Sequence, residues 1–144
     1  MYAIIALSLT GTIIVLCVVI HYEILYRLAP FTSKLPIALR EQIIIGVLLA
    51  LLAHVLEIWI FGLGYMVALR IDGLGGFVGT PVIDVFDAVY FSFITYTTLG
   101  FGDIVPTGWL RFIVGSEAMT GLVQLAWTAS YIYFQMQRGW GDQE

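Results

Sequence analysis

Thr97-Thr98-Leu99-Gly100-Phe101-Gly102-Asp103 is the stretch on which the reading of this chain turns. Two glycines alternate with two large apolar residues behind paired threonines. Glycine enters positive-φ backbone without the steric penalty other residues meet. With neighbours of opposite twist, such a strand turns successive carbonyls to one side. The carbonyls of Thr98, Leu99, Gly100 and Phe101 then face one axis, and the side chains of Leu99 and Phe101 point away from it. The Thr98 hydroxyl adds a further oxygen at the inner end. A ring of such hard oxygens can replace the water around a bare cation. One strand cannot encircle an ion, so one copy per chain implies several chains about an axis, about four in closed cyclic symmetry.

The surrounding composition belongs to lipid. The chain has 144 residues, 60% apolar and 11% charged, with a mean hydropathy of +0.97. Soluble domains carry about 25% charge, so a membrane protein is expected. A net charge of −4 with no basic patch argues against nucleic acid as a partner. The single cysteine, Cys17, lies in an apolar run and reads as a buried thiol. Three stretches, 2–20, 43–69 and 112–134, reach the roughly 20 residues a spanning helix needs. The first lacks a positively charged start and a small-residue cleavage site, so it reads as a retained helix.

The expected fold is an all-α membrane protein: three transmembrane helices with a re-entrant short helix and filter loop between the second and third. An added N-terminal transmembrane helix takes residues 1–26 and a cytoplasmic linker 27–40. Residues 41–138 make the pore domain: an outer helix 41–69, an extracellular loop 70–83, a pore helix 84–97, the filter 98–103 and an inner helix 109–138. The pore-helix segment is too short to span and is rich in aromatics. Asp84 and Asp87 suit its start, where carboxylates accept orphan N–H groups and complement the helix dipole. Irregular backbone at membrane depth is tolerated only where protein buries it or water fills the space. Tyr90 and Tyr96 are candidates for a cuff supporting the filter strand, and the helix's negative C-terminal end favours a cation in a central cavity.

Arg27, Lys34, Arg40 and Arg138 fall on one side of this arrangement, and Arg70 and Arg111 on the other. The positive-inside tendency then places the N-terminus outside and the C-terminus in the cytoplasm of a cell-membrane protein. Neither of the first two helices carries the regularly spaced arginines of a voltage sensor.

The heptapeptide resembles the potassium-channel signature T-x-G-[Y/F]-G-D, and residues 43–138 resemble the outer helix, pore helix, filter and inner helix of the two-helix potassium-channel family. The resemblance implies a homotetramer conducting K⁺ through residues 98–102, with Thr97 and Asp103 in support. It also implies a hinge or close-packing glycine in the inner helix, for which Gly121 is best placed. Pro106 and Arg111 fall where bacterial members often carry such residues. Leu99 stands in place of the commoner Val or Ile, and Phe101 in place of the commoner Tyr, which removes a bracing hydroxyl. Ile94 occupies a position where some members carry a glutamate paired with the filter-end aspartate, so Asp103 needs another partner, Arg111 or solvent.

The intramembrane polar residues have two readings each. His54 and Glu57, one turn apart on one helix face, could sense pH or could bond neighbouring helices. Glu117 reads as a brace behind the pore helix or filter rather than a permeation residue. His21 and Glu23 read as interfacial residues closing the first helix, and Trp109, Trp127 and Trp140 as interfacial or subunit-seam residues. No nucleophile–base pair appears, and the pair at 54 and 57 offers only two metal ligands, so no enzyme and no cofactor are expected; K⁺ is cargo. The expected partners are further copies of the chain, membrane lipids and K⁺. The alternatives are a weakly selective monovalent cation channel on the same scaffold and a proton-coupled K⁺ uptake subunit using His54, Glu57 and Glu117.

Overall fold

The computed structural model describes residues 1–79, 81–82 and 84–141, without the side chains at 29 and 138–141. The side chains of Arg138 and Trp140, assigned above to the inner face and an interface, lie outside the described residues. Four helices dominate the fold: α1 (Tyr2–Ser33), α2 (Leu39–Ala68), α3 (Val85–Tyr96) and α4 (Leu110–Gly141). Two three-residue strands, β1 (Phe77–Gly79) and β2 (Ile104–Pro106), flank α3. This is an all-α membrane fold in which α1 and α2 are long and apolar enough to cross a bilayer. α4 is as long as α1, at 32 residues, but interrupts its apolar surface with a polar stripe described below.

Helix boundaries depart from those expected in physically simple ways. α1 runs to Ser33 rather than ending near residue 26, with Pro30 inside its last turn. A proline there removes one backbone hydrogen bond and crowds the carbonyl four residues back, a cost this helix carries. The connection to α2 shrinks accordingly to residues 34–38, where the Gln42 side chain donates to the carbonyls of Leu35 and Ile37, both at 3.3 Å. α3 starts at the aspartates. The Asp84 carboxylate accepts from the backbone N–H groups of Phe86 (2.8 Å) and Asp87 (3.0 Å), and the Asp84 N–H donates to the Asp87 carboxylate at 3.2 Å. This closes a reciprocal cap.

Within the stretch expected as the extracellular loop 70–83, residues 74–79 are pinned to residues 104–110. β1 and β2 pair antiparallel, with Phe77 opposite Pro106, Val78 opposite Val105 and Gly79 opposite Ile104. Beyond the strands, the Thr107 N–H donates to the Gly76 carbonyl at 2.8 Å, and the Trp109 N–H to the Leu74 carbonyl at 2.8 Å. Under this clamp sits the main apolar core, which gathers Ala6 of α1, Tyr65 and Ala68 of α2, Phe91 and Ile94 of α3, and Leu110 and Ile113 of α4. α2 packs on all three other helices, and α1 packs on both α2 and α4.

Candidate functional site

The candidate filter segment, residues 97–103, hangs between two anchored ends. At its start, α3 closes at Thr97, whose hydroxyl donates to the Phe93 carbonyl at 2.6 Å. The chain then folds back on the helix. The Thr98 N–H donates to the Thr95 carbonyl, and the Gly100 N–H to the Ile94 carbonyl, each at 2.9 Å. The last carbonyls of α3, which have no partner inside the helix, are thus used to hold the filter strand.

The backbone of this strand alternates in hand. Thr98, Gly100 and Gly102 have φ of +58°, +54° and +79°, while no positive φ falls on Leu99, Phe101 or Asp103. Thr98 is the sole positive-φ non-glycine residue among those described. A β-branched residue in this region is rare and costs of order 1–3 kcal/mol, strain that concentrates at functional sites. Alternation of this kind directs consecutive carbonyls to one side of the strand. Residues 97–103 are all exposed on the isolated chain, with Leu99 at 59% and Phe101 at 64%.

At the far end, the Asp103 carboxylate accepts a hydrogen bond from the Tyr90 hydroxyl at 2.8 Å. The expected partner was Arg111 or solvent; the bond comes from α3. Tyr90 lies one turn before Ile94, and its phenol carries the donor that an isoleucine at 94 lacks. The bond to the carboxylate raises the Tyr90 phenol above its ordinary value, and a phenol is in any case a donor at neutral pH. Replacing Tyr90 by Phe removes the filter's outer anchor. The expected result is a drop in steady ion flux of about two- to tenfold, the effect of losing one solvent-exposed hydrogen bond of about 0.5–1.5 kcal/mol, with assembly retained. Flux from reconstituted vesicles checks this, and unchanged flux would show that the bond does not support the filter.

Tyr96 does not stand beside the filter strand as a cuff residue. It is 1% exposed and faces back into the helix bundle. Its hydroxyl donates to the Glu57 carboxylate and lies 3.0 Å from His54 Nδ1 and 2.9 Å from Gln124 Oε1. His21 joins the same cluster, its Nδ1 2.8 Å from Glu57 Oε1. Thr128 Oγ1 lies 3.1 Å from Nε2 of both histidines. His21 is fully buried, not interfacial as its place near the end of the apolar run suggested. It brings the potential ligand set to three, with His21, His54 and Glu57 atoms within 4.8 Å of one another. Every imidazole nitrogen in the set, however, already faces a hydrogen-bonding side chain.

A second polar node lies behind the middle of α3. Glu117 of α4 is fully buried and accepts from the hydroxyls of Tyr65 on α2 and Ser92 on α3. The Ser92 hydroxyl also lies 2.8 Å from the Ile58 carbonyl. Glu117, Thr120, Gln124 and Thr128 recur at helical spacing and form the buried stripe of α4. Gly121, on the same face, carries the closest helix contact. A Cβ there would collide with the Tyr96 carbonyl and stand only 3.0 Å from the Tyr96 carbonyl carbon. The structure therefore places Gly121 against the end of α3, next to the filter.

Glu117→Ala leaves the buried Tyr65 hydroxyl without its acceptor, at a cost of about 1–3 kcal/mol, while Ser92 keeps the Ile58 carbonyl. The expected outcome is a clear fall in the thermal unfolding temperature, smaller in Glu117→Gln, which keeps one oxygen. Equal stability of all three proteins would mean that the node carries no load.

Comparison with known families agrees with this geometry. The family model described as ion channel matches residues 43–138, from within α2 to near the end of α4. The chain belongs to this ion channel family. No curated protein and no solved structure gives a match. The matched region holds α3, residues 97–103 and both polar nodes apart from His21; all of α1 lies before it.

Proposed function

We propose that this chain is the subunit of a K⁺-selective channel. Four copies surround an axis, and K⁺ passes passively between the carbonyls of Thr98, Leu99, Gly100 and Phe101, with Gly102 closing the filter. The observation that carries this reading is the alternation of positive φ at Thr98, Gly100 and Gly102. It is supported by the family match and by the two-point attachment of the strand to α3. The exposed apolar residues of the filter and α4, such as Leu99, Phe101, Met119 and Val123, suit contact with neighbouring copies and lipid. The N-terminus then lies outside the cell and the C-terminus in the cytoplasm, with Gly121 as the close-packing or hinge residue of the inner helix.

A weakly selective cation channel is the second reading, favoured by Phe101, which has no hydroxyl to brace the strand. A proton-coupled uptake subunit is the third. Native mass spectrometry tests the assembly: a particle of about 64 kDa, four chains of 16.0 kDa, is expected, and a monomer would rule out an encircling filter. K⁺ flux into vesicles that persists without a proton gradient separates the channel from the carrier.

A further inference from the structure

The buried cluster around Glu57 closes on itself. Glu57 Oε1 faces His21 Nδ1, His21 Nε2 faces Thr128 Oγ1, Thr128 Oγ1 faces His54 Nε2, His54 Nδ1 faces Tyr96 Oη, and Tyr96 Oη faces Glu57 Oε2. The result is a ring of five side chains from four helices, joined by five contacts of hydrogen-bond length. Each member is buried, the most exposed being Thr128 at 7%.

Five such links need five protons. Ionised Glu57 brings none, the hydroxyls of Tyr96 and Thr128 bring one each, and two neutral imidazoles bring one each. The ring is therefore one proton short. The shortage falls at a defined place. The carboxylate takes the Tyr96 proton and the His21 Nδ1 proton, so His54 must donate from Nδ1 to the Tyr96 oxygen. Both Nε2 atoms then present lone pairs to Thr128, which has a single proton to give. One buried link is left as lone pair against lone pair, a costly arrangement away from water.

Gln124 fits the same count. Its Oε1 lies 2.9 Å from Tyr96 Oη, whose only proton is already given to Glu57, and its Nε2 has no partner. Turning the amide over lets Nε2 donate to Tyr96, an assignment the network itself selects.

We propose that this ring is a buried proton-binding site. One added proton completes all five links, brings the net charge of the cluster from −1 to zero, and fastens α1 and α2 to α4 through Thr128. Thr128 lies two turns beyond Gly121, so the proton controls how firmly that part of α4 is held against the bundle. This gives α1 a role that the ion-channel region alone does not supply, since His21 is its contribution. Acid completes the ring and base opens it.

The other titratable groups nearby do not take this part. On α1, Cys17 Sγ lies 4.0 Å from the Glu57 backbone carbonyl, outside the ring. On α2, His54 and Glu57 are both members, also 3.4 Å from one another. On α3, Tyr96 is the member. On α4, Glu117 lies two turns before Gln124 and is occupied by Tyr65 and Ser92.

His21 and His54 are the only histidines in the chain, so ¹⁵N-histidine NMR of the full protein in lipid nanodiscs reads this site alone. Across about pH 5 to 9, where histidine protonation changes are sought, both rings should move together in one single-proton transition. Thr128→Val should separate them, and Thr128→Ser should keep them joined. Two independent transitions, no transition, indifference to Thr128→Val, or a response to Zn²⁺ in place of protons would each overturn the proposal. The consequence for conduction rests on the channel reading. K⁺ flux should differ about tenfold across the same range, the scale of one charge-assisted bond, and Thr128→Val should flatten it while Thr128→Ser restores it. A wild-type flux indifferent to pH overturns the coupling. Absence of flux at every pH, with the NMR transition intact, counts against the channel and for the proton site.

Discussion

Gly100→Ala is expected to abolish the proposed K⁺ flux and to leave the protein inserted and assembled. Gly100 sits at φ +54°, with open space on the isolated chain where a Cβ would go. The substitution therefore meets no clash that would unfold the bundle. Its cost is conformational: a left-handed backbone disfavours an L-residue by about 1–2 kcal/mol. In the proposed ring of four the cost is felt four times around the same ion, about 4–8 kcal/mol in all if every copy must keep the conformation. The strand relieves it by rotating the peptide, which turns a carbonyl away from the axis. Ion flux from vesicles and size analysis of the assembled particle measure the two halves of this prediction. Normal flux in the alanine protein would mean that the backbone of residue 100 does not line the path.

Gly121→Ala carries the second large effect, for the opposite reason. Here the helix accepts alanine readily, but its Cβ strikes the backbone carbonyl of Tyr96. Backbone cannot rotate away as a flexible side chain can, so α4 and the end of α3 must separate. Overpacking of this kind costs about 1–3 kcal/mol. The displacement falls on Tyr96, which holds Glu57 and lies one residue before Thr97 and the filter. A drop of about 5 °C in unfolding temperature is expected, with about tenfold lower flux, the equivalent of a cost in the middle of that range. Wild-type stability and flux together would show that α4 does not press on α3 at this point.

Much of this was legible in the residues, for definite reasons. The filter's glycines report a backbone need that few side chains can meet, so their alternation survives as a local pattern. Asp84 and Asp87 announce the start of α3 because capping is local, spanning three residues. Of the polar stripe of α4, Glu117 stands out as an intramembrane acid, while Thr120, Gln124 and Thr128 pass as ordinary small or polar residues of an apolar run. The pairings between helices are not legible either. His21 and Glu57 are 36 residues apart on different helices, and His21 and Thr128 are 107 apart. Nothing in the local pattern ties them, and His21 near the end of an apolar run resembles an ordinary interfacial residue.

The β1–β2 clamp escaped for a related reason. Three-residue strands are too short to show alternation, and their glycine-rich approach resembles a free loop. Only the return of the chain after the filter brings residues 77–79 and 104–106 into register. The Tyr90–Asp103 bond likewise depends on the filter folding back along α3, so thirteen residues of chain separation become a direct contact. The end of α1 falls later than expected because Pro30, a residue that usually interrupts helices, lies inside the helix, which runs on to Ser33.

The central claim is selective conduction through the strand at 98–102. The most direct test is the reversal potential of the purified protein in a planar bilayer, with K⁺ on one side and an equal concentration of Na⁺ on the other. A carbonyl filter selective for K⁺ predicts a reversal potential displaced far from zero, with the sign set by K⁺ flow. A reversal potential at zero, showing equal passage of both ions, would contradict it.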